Sequence, residues 1–531
     1  MLIPSKKGLD RDLKRLNRIE QATLAARKPM GSIALGVLFL LAVFVFAIFQ
    51  AGDTQFSAFI VAGGVIGGYM ALNIGANDVA NNVGPAVGSR ALTMAGALVI
   101  AAIFEASGAI LAGGDVVSTI SKSIVDPSSF DGPHVFIMAM TSALLAAALW
   151  INVATYFGAP VSTTHSIVGG VLGAGLAAAG VAAVSWMTMG KIAASWVISP
   201  VLGGLIAASF YVVLEITVLN KDDKLAAARK WIPAFVAVMV AAFTAYMMIK
   251  GLKRIWQPDS TLVIIVSILA FGTAVAAVRP FIAKASIGLE NRRKSVSDLF
   301  TIPLICSAAF LSFGHGANDV ANAVGPLAAI VSAVGSGEVT DKVEIPLWVM
   351  IVGAIGISAG LALFGPKLVR TVGTQITKLD RSRAFCVALS AAVTVITAST
   401  LGLPVSSTHI AVGGVFGVGF YREFRANRRG RRLGSGEALG SGDELVPAKV
   451  LGPGEVLVES VEQADHLRSP LKKSLHFAVE EGGSTGKTLK AERRKLVRRQ
   501  HFLTIIAAWL ITVPFSAALA SAVYFVLTTV L

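Results

Sequence analysis

Asn77, Asp78, Asn81 and Asn82 fall in the stretch Gly75-Ala-Asn-Asp-Val-Ala-Asn-Asn-Val-Gly-Pro85. On a helix, positions 77 and 81 are four apart and 78 and 81 three apart, so they share a face. Gly75 and the Gly84-Pro85 pair predict a helix break beside them. A buried carboxylate, amide oxygens and carbonyls freed by a break form a hard-oxygen set suited to a small cation. The stretch recurs about 240 residues later as Gly316-Ala-Asn-Asp-Val-Ala-Asn-Ala-Val-Gly-Pro326. Asn318, Asp319 and Asn322 thus make a second candidate set, and Ala323 in place of the last Asn predicts that the two cation sites differ. A polar network that merely glues helices together would explain one copy. Two copies, each with an Asp in an apolar chain, favour ligand binding.

A second motif follows each of these. Pro160-Val-Ser-Thr-Thr-His165 and Pro404-Val-Ser-Ser-Thr-His409 each open a Gly-rich apolar run. Pro suits the first turn of a helix, and Ser or Thr caps its start. The N–H groups left unsatisfied there carry partial positive charge. Ser162, Thr163 and Thr164, with Ser406, Ser407 and Thr408, would add hydroxyl donors to make a cup for a tetrahedral oxyanion such as phosphate or sulfate. No Lys or Arg lies in either cluster, so cations would have to balance the anion. His165 and His409 close the motifs and read as hydrogen-bonded structural residues. Glu105, in the apolar run Phe104-Glu-Ala-Ser-Gly108, must be protonated, paired or bound to a cation. The second half has no matching acid, since Ile357-Ser-Ala-Gly360 aligns best.

These motifs sit in a chain of 531 residues that is 54% hydrophobic and 15% charged. Apolar runs fall near 31–50, 56–73, 92–113, 135–158, 164–183, 190–219, 231–250, 261–280, 299–317, 345–365, 383–402, 408–420 and 502–530. Many reach the ~20 residues that cross a bilayer as helix. The expectation is an all-α, multi-pass protein of the cell membrane, as in a bacterial inner membrane. The run at 31–49 has a long basic leader and no evident cleavage site, which favours a retained helix over a signal peptide. Lys and Arg crowd the N-terminal tail and the loops 220–230, 280–298 and 366–383, which places all of these on the cytoplasmic side. One loop, 251–260, counts as external yet carries Lys253 and Arg254.

On this count the helix before the first Asn-Asp motif starts outside and its counterpart inside, so the halves form inverted-topology repeats. The same count lets the Pro-Val-Ser motifs lie either on full crossings or at the tips of re-entrant helical hairpins. Polar tips that meet the Asp motifs favour hairpins, although the run at 135–158 is long for a half-depth arm. The expected organisation is a basic cytoplasmic extension (1–30), an extra N-terminal helix (31–55), repeat 1 (56–219), connecting helices and loops (220–298) and repeat 2 (299–420). A polar, largely disordered cytoplasmic insert (421–500) and a C-terminal helix (501–531) complete it.

The net charge of +15 is accounted for by loops and tails, so nucleic acid is not an expected partner. Gly482-Gly-Ser-Thr-Gly-Lys-Thr488 fails as a P-loop, because Glu481 stands where its first Gly belongs. Cys306 and Cys386 give neither a disulfide framework nor a metal site. A site duplicated in both halves also argues against an enzyme, which would need an asymmetric nucleophile and base.

With Gly-Ala-Asn-Asp-Val-Ala-Asn present twice beside the two Pro-Val-Ser motifs, the chain resembles the PiT family of inorganic phosphate transporters over about residues 56–420 and the final helix. The resemblance implies inverted repeats with broken helices and hairpins, holding phosphate between the hairpin tips and the Asn-Asp motifs. It implies coupling to sodium ions or protons and no resident cofactor. By motif, Asp78, Asn81, Asp319 and Asn322 fall at cation or phosphate positions, and the six Ser and Thr residues at phosphate-donor positions. Asn77, Asn318 and Glu105 complete the candidate cation or proton set. Some family members carry sulfate, so the anion stays open. The Gly-rich faces permit a homodimer without requiring one.

Overall fold

A computed structural model describes residues 30–53, 56–156, 161–253, 255–337, 345–371, 379–434 and 499–530. The elements in order are α1 (Met30–Ala51), α2 (Ser57–Asn77), α3 (Val79–Gly88), α4 (Met94–Ala112), α5 (Gly114–Lys122), α6 (Pro133–Tyr156), α7 (Thr163–Ala179) and α8 (Trp186–Leu214). They continue as α9 (Lys224–Tyr246), α10 (Ser260–Ala285), α11 (Arg293–Leu299), α12 (Thr301–Ser336), α13 (Leu347–Thr371), α14 (Arg381–Thr400), α15 (Ser407–Gly434) and α16 (Arg499–Val530). Among the described residues the extended structure is limited to one bridge, Val125 to Val184.

Among the described residues, eleven helical stretches are long and apolar enough to span a bilayer, against thirteen apolar runs in the sequence. The two runs missing from that set are those that become α7 and α15, the helices opened by the Ser/Thr clusters. Helix α10 shows what a lipid-facing element looks like here: Ile264, Ile265, Ile268 and Leu269 are all exposed. The helix starts follow local chemistry. Thr93, Ser162, Asp223, Asp259 and Asp380 each accept a hydrogen bond from a backbone N–H of the first turn of α4, α7, α9, α10 and α14, respectively.

The chain divides into two units, Met1–Tyr421 with Val497–Leu531, and Arg422–Leu496. The described part of the second is the end of α15, so helix continues past residue 420; the rest of the expected insert, residues 435–498, lies outside the described residues, as do residues 1–29. Within the first unit the packing is paired. Helix α4 lies along α12 and α13 along α2. Helix α16 lies along α7, with Gly169 and Gly173 facing Val513 and Ala517, while α8 meets α15 where Gly413 and Gly417 face Pro200 and Gly204. The helix that comes next after each cluster helix, α8 after α7 and α16 after α15, thus packs on the cluster helix of the other half.

Arg381 fastens one end of this core. Its guanidinium donates to the carbonyls of Ser89 and Arg90 at 3.3 and 3.2 Å, to Asp298 at 2.7 Å and to Thr301 at 3.0 Å. Glu215 is buried and accepts a 2.8 Å hydrogen bond from Tyr421.

The two Asn-Asp motifs lie mid-helix. The break predicted at the first is one residue wide, at Asp78 between α2 and α3. The second has no break: α12 runs straight from Thr301 to Ser336. The expectation of a broken helix there is corrected: α12 is buried along most of its length, and its proline costs it one hydrogen bond without ending it. Pro85 and Pro326 sit inside helices and carry no N–H for the carbonyl four residues earlier. The carbonyls of Asn81 and Asn322 are thereby freed while the helix continues.

Candidate functional site

The four asparagines divide their work by position. Asn77 and Asn318 hold the hairpin of their own half: Asn77 Nδ2 donates to Thr155 at 2.9 Å, and Asn318 Nδ2 to Ser399 at 2.9 Å. Asn318 also donates to the Leu403 carbonyl and accepts from the Val405 N–H, so both ends of its amide are engaged. Asn81 and Asn322 reach across the molecule. Asn81 Nδ2 donates to Thr408 at 2.8 Å, and Asn322 Nδ2 to Thr163 and Thr164 at 3.2 and 3.1 Å. The hydroxyl cluster of each half therefore meets the Asn-Asp motif of the other.

The cluster residues play different parts. Ser162 and Ser406 accept from the N–H groups of His165 and His409 and cap α7 and α15. Thr163 donates to Asp78 Oδ2 at 2.6 Å, and Thr408 lies 3.4 Å from Asp78 Oδ1. Thr164 donates to the Val405 carbonyl at 3.1 Å, which ties the start of α7 to the loop before α15. Ser407 Oγ is buried without a hydrogen-bond partner among the described residues. His165 and His409 meet edge to face with ring centroids 5.0 Å apart, and the His165 ring centroid lies 3.9 Å from that of Trp196. Pro160 lies outside the described residues.

Asp78, His315 and Asp319 bring carboxylate and imidazole atoms within 4.8 Å of one another, and all three are buried. His315 is the residue that motif reading misses. Its Nδ1 meets Glu105 Oε2 at 2.6 Å, and its Nε2 lies 2.9 Å from Asp319 Oδ2, a close charge contact off hydrogen-bond alignment. Asn82 donates to the other oxygen of Glu105 at 2.8 Å. Glu105 is thus paired, one of the three states open to it from sequence. A signal for His315 was present, since it stands four residues before Asp319 and shares its helix face.

These additions all depart from the repeat. Gly316 of α12 faces the Glu105 backbone and Gly108 of α4 faces Phe313; at the matching crossing, Gly75 of α2 faces Ile357 and Gly360 of α13 faces Leu72. Matching these contacts sets Ile357 opposite Glu105 and Ile74 opposite His315. The polar pair of one side is an apolar pair on the other. Asn82, whose counterpart is Ala323, joins the polar side.

The acceptors left over suit a hard cation. Asp319 Oδ1, Asn322 Oδ1 and Asn82 Oδ1 are buried and lack hydrogen-bond partners among the described residues. With the Asp78 carboxylate and the carbonyls freed by Pro85 and Pro326, they are hard oxygen donors of the kind that a small cation takes. None of the contacts described here involves a lysine or arginine.

Known proteins resemble this chain. The sequence pattern of the phosphate transporter family matches residues 74–520. A Helicobacter pylori (strain J99) protein is 44% identical over 527 residues, covering 97% of this chain and 98% of its own. A Pyrococcus furiosus protein is 38% identical over 371 residues, covering 68% of this chain and 87% of its own. Both carry the provisional name phosphate permease. A solved structure described as a sodium-dependent phosphate transporter superposes with a TM-score of 0.72 at 34% identity, covering 89% of this chain and all of that one.

Proposed function

The chain belongs to the phosphate transporter family, and from that premise we propose that it is a symporter that carries inorganic phosphate across the membrane with sodium ions or protons. The observation that carries this reading is the crossed contact of the two halves. Hydroxyl clusters at the starts of α7 and α15 converge on the Asn-Asp motif of the opposite half, beside two buried carboxylates. Ser407 and Thr408, with the helix N-termini, are the donors for the phosphate oxygens, and Thr163 and Thr164 join them by turning their hydroxyl protons from Asp78 and the Val405 carbonyl to the bound anion. Ser162 and Ser406 shape the cup as caps and can still donate their own protons.

Asp78, Asp319, Asn81 and Asn322 hold the cation, and Glu105 acts on it through His315. Asn77 and Asn318 brace the hairpins rather than ligate the ion. The charge logic supports coupling. A dianion entering a negative cell is opposed by about 2.3 kcal/mol per charge per 100 mV, and each accompanying cation offsets one charge. The crossed packing suits two inverted repeats that rock about a shared site to give alternating access. The positively charged loops set the N-terminal segment on the cytoplasmic side.

Uptake of labelled phosphate into proteoliposomes of the purified protein tests the reading. An imposed inward sodium gradient at fixed pH is expected to stimulate uptake, and unlabelled sulfate is expected to compete poorly. Uptake that follows a proton gradient and ignores sodium would assign the coupling to protons. Uptake of labelled sulfate but not phosphate would overturn the substrate.

The cup has its own test. Thr164→Ala and Thr408→Ala each remove one donor and are expected to raise the phosphate KM by roughly three- to thirtyfold, since a hydrogen bond to a charged group contributes about 1.5–3 kcal/mol before partial replacement by water. The sodium dependence should shift less. A phosphate KM unchanged in both variants would argue against the cup.

A further inference from the structure

We propose that α5 sets the position of the second hydroxyl cluster, with Thr119 as its positioning residue and the two lysines that follow α9, Lys250 and Lys253, as its anchor. The contacts run in one line. Asp115, in the first turn of α5, accepts from Lys250 Nζ at 2.5 Å and from Lys253 Nζ at 2.8 Å. One turn later on the same short helix, Thr119 Oγ1 donates to the carbonyl of Gly402 at 2.7 Å. Gly402 opens the loop that leads into Ser406, Ser407 and Thr408.

That loop has no regular structure, so its carbonyls depend on side chains for hydrogen bonds. Each has one. Gly402 is held by Thr119, Leu403 by Asn318, Pro404 by Trp196 at 3.0 Å, and Val405 by Thr164. Three of these anchors come from helices that carry or border the site. Thr119 comes from α5, which is fastened at its far end by charge. Gly402 has a φ of +68°, a left-handed conformation that side chains resist, and a Cβ there would meet Thr119 Oγ1 at 3.2 Å. The peptide that enters the phosphate loop is therefore shaped against Thr119.

The anchor also accounts for the external loop whose positive charge breaks the orientation rule. Lys253 and its neighbour Lys250 close on Asp115 and form an ion pair with α5. Burial pushes the Asp115 carboxyl upward, but the hydrogen bonds and charges of the two lysines outweigh it and hold it below the usual carboxylate range. The anchor is accordingly charged at neutral pH. It is partly exposed, with Asp115 at 26% and Lys253 at 49%, so screening by salt weakens it.

The inference rests on the reading that Ser407 and Thr408 hold phosphate, and the experiment separates the two. Phosphate KM and maximal rate are measured in proteoliposomes for Thr119→Val, Thr119→Ser, Asp115→Asn and Thr408→Ala. Thr119→Val keeps the shape and loses the donor; its KM is expected to rise roughly three- to tenfold with the maximal rate within about twofold. Thr119→Ser is expected to restore the wild-type KM. Asp115→Asn is expected to move KM in the same direction as Thr119→Val, and it carries the test if the valine variant does not insert.

If Thr408→Ala raises KM while Thr119→Val and Asp115→Asn leave it unmoved, the positioning role falls and the phosphate cup stands. If none of the three moves KM, both fall. A serine variant that behaves like valine would reduce Thr119 to a packing residue and overturn the inference.

Discussion

Asp78→Asn and Asp319→Asn are each expected to abolish cation-driven phosphate uptake while leaving the protein inserted. The substitution keeps the shape and one acceptor oxygen, so Thr163 can still bond to residue 78. What it removes is the charge. Losing one partner of a buried charged contact costs about 2–5 kcal/mol, equivalent to roughly 30-fold to several-thousand-fold in cation affinity. The two variants should differ in kind. At 319 the close contact with His315 is disturbed, and through it the pair with Glu105. At 78 the contacts to Thr163 and Thr408 are weakened, which touches both hydroxyl clusters. Sodium-dependence curves in proteoliposomes, with insertion checked by protease protection, make the measurement. Normal coupled uptake by both variants would remove the cation site.

Gly316→Ala should damage the protein before any ligand is added. A Cβ at 316 would fall on the backbone of Glu105, and Gly108 faces Phe313 from the other side, so α4 and α12 touch main chain to main chain. Backbone cannot swing aside as a side chain can. The helices must separate, and overpacking of this kind costs about 1–3 kcal/mol. The 2.6 Å contact between Glu105 and His315 lies at the same crossing and would lengthen. Thermal unfolding of the purified protein in detergent is expected to shift down, with lost transport. Gly335→Ala, on the same helix with open space around it, should leave unfolding unchanged or slightly raised. Equal unfolding temperatures for the two variants would show that the crossing tolerates a methyl group.

Residues that act locally were legible. The duplication, the apolar spans, the caps at Ser162 and Ser406, and the shared face of Asp78 and Asn81 all follow from near neighbours in sequence. The lack of a break at the second motif was not legible, because Gly and Pro signal a possible break while neighbouring helices decide whether the chain takes it. Here α12 is buried along most of its length, so the helix continues and Pro326 removes only one hydrogen bond.

The sequence by itself determined that the Asn-Asp and Ser/Thr motifs occur in two sets. Repetition is a property of the chain, and it survives any packing. Tertiary structure decided who meets whom. Asn77 and Asn318 read like Asn81 and Asn322, yet they turn to their own hairpins while the latter cross to the other half. Glu105 and His315 meet across 210 residues because two glycines let α4 and α12 touch. The matching crossing, of α2 with α13, carries Ile74 and Ile357. The physical reason is the range of the information. Helical periodicity relates residues within a few turns, whereas the closest approach of two helices depends on which small side chains coincide at their crossing.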